Sequence, residues 1–419
     1  MIEVYKFGGA SVKDAEGVKN IGKILLQHRP INLVVVVSAM GKMTNALEKL
    51  TQSLFDNKSE TETILPSIKQ YHLQIAQSLF DSKHSIFNNL EDNFAELHWA
   101  TEEEQLKTYD YEYDQIVAQG ELLSTKIVAA YLQSIGLLVQ WCDARDIIHT
   151  DDQFRDANVD WDLTQNSINE IVKPALKQGK IVITQGFIGS TSENFNTTLG
   201  REGSDYSAAI LAFCLDAEKV SIWKDVAGVL NADPKIMNNA ILIPNLSFQD
   251  AVEMAFFGAT IIHPKTIKPL KNKNIPLQVK SFLEPEKPGT TIGKTNEGIL
   301  TPSYIVKDNQ TLISITPKDF SFVVEEHLSA LFGLLAKHKV KTNLMINSAL
   351  SFSICVGVPS NHWNDLLVEL SINFKVKFNN QCTLLTIRQY HDADVDSWIG
   401  GKEILLEQKT RTVAQYVIR

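Results

Sequence analysis

Apolar positions follow two alternating rhythms along the first two thirds of the chain. Residues 2–7, 33–37 (LVVVV), 137–141, 180–184 and 219–223 (KVSIW) are short apolar, largely β-branched runs, a pattern of strands buried on both faces. Between them, Val18, Ile21, Ile24 and Leu25 recur at helical spacing within 14–28. The same spacing predicts helices over 44–55, roughly 61–98, 114–135, 164–178 and 204–215, with Gly136 and Gly179 as stops. Strands alternating with helices predict an α/β fold: a parallel sheet covered by helices on both faces.

The rhythm changes after residues 284–303 (EPEKPGTTIGKTNEGILTPS), a Pro-, Gly- and Thr-dense stretch that marks a boundary. Beyond it come a strand at 311–315, a helix at 325–338, strands at 340–347 and 350–358, a helix at 362–371, and strands at 374–378 and 383–388. That order is βαββαβ, a ferredoxin-like α+β unit. Residues 391–419 are too short for a second such unit, and we expect TVAQYVI near the C-terminus to complete a sheet. The expected division is 1–297 and 298–419.

Composition narrows the function. The chain has 419 residues, with 44% hydrophobic and 21% charged residues, ordinary globular usage. The four cysteines have no C-x-x-C spacing, which fits a reducing, cytoplasmic setting rather than a zinc ribbon or redox site. No signal-peptide pattern opens the sequence, and its longest apolar stretch (31–40) is about half a membrane span. Residues 1–297 carry 38 acidic against 28 basic side chains, an acidic body unsuited to a nucleic-acid backbone. The acidic run Glu102, Glu103, Glu104, Asp110, Glu112 and Asp114 reads as a solvated face or loop.

Four segments carry candidate chemistry. Lys6-Phe7-Gly8-Gly9-Ala10-Ser11 follows a strand, and its glycines let backbone N–H groups approach an anion while Lys6 supplies a charge. It is neither a P-loop nor a dinucleotide fingerprint; alone, it is equally a strand-to-helix turn. Ser38 to Asn45 follows LVVVV at the strand end where open α/β sheets place ligands, and Ser38, Thr44 and Asn45 suit a polar substrate. Gly200-Arg201-Glu202-Gly203-Ser204-Asp205 can bring a guanidinium to a carboxylate or phosphate, although Ser204 and Asp205 also fit a helix cap. Trp223 to Lys235, with Lys224, Asp225, Leu230 and Lys235, suits nucleotide phosphates and base, or a plain loop.

In this order and spacing the segments resemble the aspartokinases, within the amino acid kinase fold family. The matching pieces are KFGGAS (6–11), VVVVSAMGKMTNAL (34–47), QGELLS (119–124), QGFIGS (185–190), TTLGREGSDYSAAILA (197–212), WKDVAGVLNADPK (223–235) and MAFFGATIIHPKTI (254–267). AKHKVKTNLMINSALSFSI (336–354) resembles the first ACT domain of those enzymes, and ILLEQKTRTVAQYVI (404–418) their C-terminal end. The resemblance implies an amino-acid-kinase sandwich over 1–297, with an ACT-like regulatory region over 298–419 whose second unit is truncated.

The resemblance also implies ATP-dependent phosphorylation of the L-aspartate side-chain carboxylate, the first step toward lysine, threonine and methionine. That carboxylate is already ionised near neutral pH, so no strong base is needed; the enzyme aligns the reactants and offsets phosphoryl charge. By matching position, Lys6 would stabilise the transferring group, Gly8, Gly9 and Ser11 would belong to its cradle, and Asp205 would orient Lys6. Arg201 would grip the α-carboxylate and Glu121 the α-amino group, with Ser38, Thr44 and Ser204 on the substrate side. Lys224, Asp225, Leu230 and Lys235 would contact ATP. Mg²⁺ would ride on phosphate oxygens, with no protein metal ligand assigned. A homodimer through the C-terminal region is expected. Departures from the family pattern are Ala10 for Thr, Glu202 for Gly, Lys224 for Thr and Thr260 for an ATP-contacting Lys; Lys224 would supply the charge lost at 260. His263-Pro264 reads as structural. These departures motivate one alternative, a non-catalytic amino-acid sensor with a kinase-like body; another amino acid kinase is a second.

In lysine-sensitive members a segment like SVDLITTSE meets the effector's amino group. Here Lys341 to Ala349 aligns with it, placing neutral Asn343 for Asp, Ala349 for Glu and an added Lys341 charge, which predicts weak sensitivity to lysine.

Overall fold

The continuous apolar runs become the strands of a mostly parallel sheet. The computed structural model describes residues 1–56, 60–102, 107–259, 262–295, 301–319, 321–357, 363–391, 395 and 398–419. These separate into two compact units, one of residues 1–229, 242–252 and 261–297, the other of 230–241, 253–260 and 298–419.

In the first unit, β1 (Ile2–Phe7), β2 (Asn32–Val37), β3 (Val139–Trp141), β4 (Ile181–Gln185), a hairpin of β5 (Ile188–Ser190) and β6 (Asn196–Thr198), β7 (Lys219–Lys224), β8 (Asn245–Ser247), β9 (Leu277–Ser281) and β10 (Thr290–Gly293) follow one another. Among the described residues, eight of them form one sheet in the order β3-β4-β2-β1-β7-β9-β10-β8. Its neighbours are parallel except for β9 and β10. Residues 33–37 are wholly buried, as a strand covered on both faces must be.

The helices are α1 (Ala15–His28), α2 (Met43–Asp56), α3 (Thr61–Leu79), α4 (Ile86–Glu102), α5 (Tyr109–Ser134), α6 (Trp161–Ser167), α7 (Lys173–Lys177), α8 (Gly203–Leu215), α9 (Phe248–Phe257) and α10 (Pro264–Lys273). Asp14 and Thr108 cap α1 and α5 by accepting from Gly17 and Tyr111 N–H groups. One main core joins α1 to α5 with the sheet, through Ile21, Leu25, Val35, Leu47, Ile116 and Leu123.

Three expectations need correction. The helical pattern over 61–98 is two helices, because 80–85 hold a turn in which His84 N–H donates to Asp81 carbonyl and Ile86 N–H to His84 Nδ1. The helix expected over 164–178 starts at Trp161 and passes through a π turn (Ile168–Val172) just before Pro174, which lacks the N–H that regular helical bonding needs. The acidic run is not uniformly solvated. Asp114 is fully buried and accepts from the Arg155 N–H and from the Thr198 N–H and hydroxyl; Glu112 is also buried and accepts from Lys107 N–H. Glu103 and Glu104 lie outside the described residues.

The second unit contains β11 (Ser303–Pro317), α11 (Glu325–Lys337), β12 (Thr342–Asn347), β13 (Phe352–Gly357), α12 (Trp363–Asn373), β14 (Phe374–Arg388), β15 (Ile404–Lys409) and β16 (Val413–Ile418). Its sheet, in the order β12-β13-β11-β14-β16-β15 among the described residues, is antiparallel throughout. The first four strands and two helices make the ferredoxin-like unit, with Ile313, Leu331, Leu335, Ile354, Leu366 and Leu370 in its core. The segment expected at 311–315 extends back to Ser303, and the two strands expected at 374–378 and 383–388 are one. A register shift between Lys307 and Leu312, with Asn309 and Gln381 at positive φ, lets both long strands continue past polar positions, those in β14 having looked like a break. TVAQYVI forms β16 beside β14.

Candidate active site

The loops after β1 and β2 meet at the C-terminal ends of their strands. The Gly9 carbonyl accepts from Gly41 N–H at 3.0 Å, and a side chain at Gly9 would come within 2.7 Å of the Ala39 carbonyl oxygen, so only glycine permits this approach. Together with the start of α8 and the middle of α5, these loops surround a cavity of about 540 Å³. Lys6, Gly9, Ser38, Thr44, Glu121, Arg201, Ser204, Asp205 and Lys224 all line it.

At one end sits an ion-pair cluster. Lys6 Nζ is 2.7 Å from Asp205 Oδ1, and Lys224 Nζ is 3.6 Å from Oδ2. Asp205 is 3% exposed. Burial by itself would raise its pKa, but the two ammonium groups outweigh burial and hold the carboxyl below its ordinary value. Asp205 lies in the first turn of α8, where the helix dipole adds to the same preference.

Glu121 is the opposite case. It is buried on α5, its Oε1 accepts from Ala39 N–H at 3.2 Å, and its Oε2 has no hydrogen-bond partner among the described residues. Burial dominates and raises its pKa to about 8, with the Ala39 N–H and the charge of Lys6 pulling only partly the other way. A buried acid with an unsatisfied oxygen, lining a cavity, is built to receive a cation or a donor.

Glu202, the carboxylate where the family pattern has Gly, adopts φ of 54° at the start of α8. Its Oε2 accepts from His263 N–H at 3.0 Å, so its charge is tied to the α10 N-terminus. His263 itself caps α10 through Lys265 N–H. Arg201 is exposed at the cavity and makes no ion pair among the described residues.

A model of the amino acid kinase family matches residues 1–281. The lysine-sensitive aspartokinase 3 of Escherichia coli is 32% identical over 394 residues, covering 92% of this chain and 86% of that one. The chain belongs to the aspartokinases. Chloroplastic aspartokinase 1 of Arabidopsis thaliana is 34% identical over 395 residues, 89% of this chain and 66% of the relative. The crystal structure of E. coli aspartokinase III in complex with aspartate and ADP superposes with a TM-score of 0.84 at 28% identity, over 100% of this chain and 96% of the other.

Within this aspartokinase, other positions named from sequence fall elsewhere. Gly8 and Ser11 do not line the cavity; they close a 3₁₀ turn in which Ser11 N–H donates to Gly8 carbonyl. Asp225 is exposed after β7 and is not a lining residue. Leu230 and Lys235 belong to the second unit, where Asp233 accepts from Lys235 N–H. Thr260 lies outside the described residues. The cavity also includes Glu48, Tyr113, Arg155 and Phe187, which sequence reasoning did not single out. Glu48 is four residues after Thr44 on α2, and Tyr113 eight before Glu121 on α5, so helical spacing carried a signal for both. Arg155, in a loop, had none.

Proposed function

We infer that this aspartokinase transfers the γ-phosphoryl group of ATP to the side-chain carboxylate of L-aspartate, giving 4-phospho-L-aspartate for lysine, threonine and methionine biosynthesis. The observation that carries it is the polarity of this cavity: its lining holds Lys6 and Lys224, both paired with Asp205, together with a Glu121 oxygen and an Arg201 side chain that have no partner among the described residues. An amino acid with two carboxylates and one ammonium is complementary to that set.

In the proposed mechanism Arg201 binds the α-carboxylate in a bidentate manner, and Glu121 in its ionised form accepts from the α-ammonium. The β-carboxylate is thereby directed toward Lys6. Lys6, oriented by Asp205, offsets the charge of the transferring phosphoryl group; Lys224 sits on the same carboxylate and serves the nucleotide. Backbone N–H groups of the Gly8–Gly9 turn complete the anion-binding loop, with Ser38, Thr44 and Ser204 as polar contacts to aspartate. Ser11, Asp225, Leu230 and Lys235 remain proposed nucleotide-side positions. No trio of His, Cys, Asp or Glu that could hold a metal occurs among the described residues. We propose that Mg²⁺ is carried by the nucleotide phosphates, whose charge it would offset.

We further propose residues 1–297 as the catalytic domain and 298–419 as the regulatory one, with homodimerisation through exposed apolar side chains such as Phe332, Val368 and Ile372. Four buried free cysteines support a reducing cytoplasmic setting, and no described helix is long and apolar enough to cross a membrane.

The test is ADP release coupled to hydroxylamine trapping of the acyl phosphate, with aspartate, glutamate and N-acetylglutamate as acceptors. We expect aspartyl hydroxamate from aspartate alone. Product from either other acceptor in preference to aspartate, or from none, overturns the assignment.

A further inference from the structure

Arg155 lines the cavity with Arg201 but lies in the loop between β3 and α6. Its backbone has φ of 69°, a left-handed conformation that is uncommon outside glycine. The surroundings fix that conformation. The Arg155 N–H donates to Asp114 Oδ2 at 2.9 Å, and the other two bonds of this buried carboxylate go to Thr198 on β6. The following residue, Asp156, packs against Gly200, where an added side chain would collide with Asp156 Oδ1. Lys265 Nζ bridges Asp156 Oδ1 (2.6 Å) and the Leu199 carbonyl (3.1 Å). The loop carrying Arg155 is thus locked to the loop carrying Arg201.

The guanidinium itself is held loosely. Its carbon lies 4.4 Å from the Tyr113 ring centroid and 5.5 Å from that of Tyr109. Its two ion pairs are long, 3.8 Å to Glu48 and 3.4 Å to Asp110, and its side chain is 41% exposed. Exposed pairs of this kind stabilise little, so exchange for a ligand carboxylate is inexpensive. Tyr113 and Glu48 also line the cavity.

We propose that Arg155 is a specificity-determining residue that exchanges Glu48 and Asp110 for the α-carboxylate of bound aspartate, making a second guanidinium contact beside Arg201. The proposal takes aspartate phosphorylation in this cavity as given. Lys6 and Lys224 are engaged with Asp205, which leaves the two arginines to recognise the carboxylate that does not react.

The test compares Arg155→Gly, Arg155→Lys and Asp110→Asn in the full-length enzyme. Glycine suits the left-handed backbone and removes the side chain without adding strain. For Arg155→Gly we expect the aspartate KM to rise about 5–50-fold, with ATP KM and kcat nearly unchanged and no fall in Tm. The preference for aspartate over its α-amide, measured as a ratio of kcat/KM, should fall with it. Arg155→Lys should recover part of the loss, since an ammonium keeps the charge but not the fork. Asp110→Asn, which removes a competing partner, should leave the aspartate KM equal or lower. An unchanged KM or unchanged α-amide ratio in Arg155→Gly overturns the proposal. So does an Asp110→Asn enzyme that shares the defect with a lowered Tm, the signature of a structural strut. Absence of aspartate phosphorylation in the unaltered enzyme would instead remove the functional assignment itself.

Discussion

In its proposed role as partner of the substrate ammonium, Glu121 should make aspartate binding dependent on pH, in a direction that follows from its raised pKa. Its pKa in the ligand-free enzyme is about 8, because burial outweighs the Ala39 N–H and the nearby Lys6 charge. On this proposal only the ionised form receives the substrate ammonium, and apparent affinity should scale with the ionised fraction. For a pKa of about 8 that fraction is about 3% at pH 6.5 and about 76% at pH 8.5. The aspartate KM should therefore fall about 25-fold over that interval, at saturating ATP. Calorimetry in buffers of different ionisation enthalpy, near pH 7, should register about one proton released per aspartate bound. Glu121→Gln should raise KM and flatten its pH profile. Stability gives an independent reading. A carboxyl whose folded pKa lies above its unfolded value of about 4.5 binds more protons when folded. The ligand-free enzyme should thus lose stability as pH rises from about 4.5 through 8, and Glu121→Gln should lose less. A KM that is flat in the unaltered enzyme, or that retains its slope in Glu121→Gln, would refute the assignment of the ammonium to this residue.

Arg201→Ala should raise the aspartate KM about 10–150-fold with ATP KM little changed, the range for about 1.5–3 kcal/mol from a charged hydrogen bond; steady-state kinetics decide, and an unchanged kcat/KM for aspartate contradicts the role. Lys6→Ala should lower kcat by about 10²–10³-fold. Because it also leaves buried Asp205 with one fewer partner, Tm should be recorded beside kcat, and near-normal turnover removes Lys6 from the catalytic set. Lysine titrated into the millimolar range at saturating substrates should inhibit weakly or not at all. Asn343 Oδ1 accepts from the chain's own Lys307 ammonium at 2.9 Å, and its amide donates to Gln310 at 2.8 Å, so both ends of this side chain are engaged. Strong inhibition, with a calorimetric lysine signal abolished by Asn343→Ala, would show that reasoning to be wrong.

Local physics was legible in the sequence. Continuous apolar runs became buried parallel strands because a strand covered on both faces has no position for a polar side chain, as residues 33–37 illustrate. Order and spacing of Lys6, Ser38, Glu121, Arg201 and Asp205 resembled the aspartokinases, and these residues do share one cavity. The short polar interruption of β14 read as a break, and the first half of β11 went unread, because periodicity cannot see a bulge that a partner strand stabilises.

Tertiary structure alone decided the charge states and the remaining lining. Sequence marks Glu121 and Asp205 equally as acids. Burial inside the fold lifts the first to about 8, against the opposing pull of the Ala39 N–H and Lys6, while Lys6 and Lys224, brought from two strands, hold the second down. Asp114 looked like one more solvated acid, yet packing turned it into the buried anchor of the Arg155 backbone. Arg155 itself carried no spacing signal, since its place beside the cavity comes from a loop fixed by residues far away in sequence. A residue's pattern along the chain reports its own element, whereas its pKa and its neighbours depend on elements that only folding brings together.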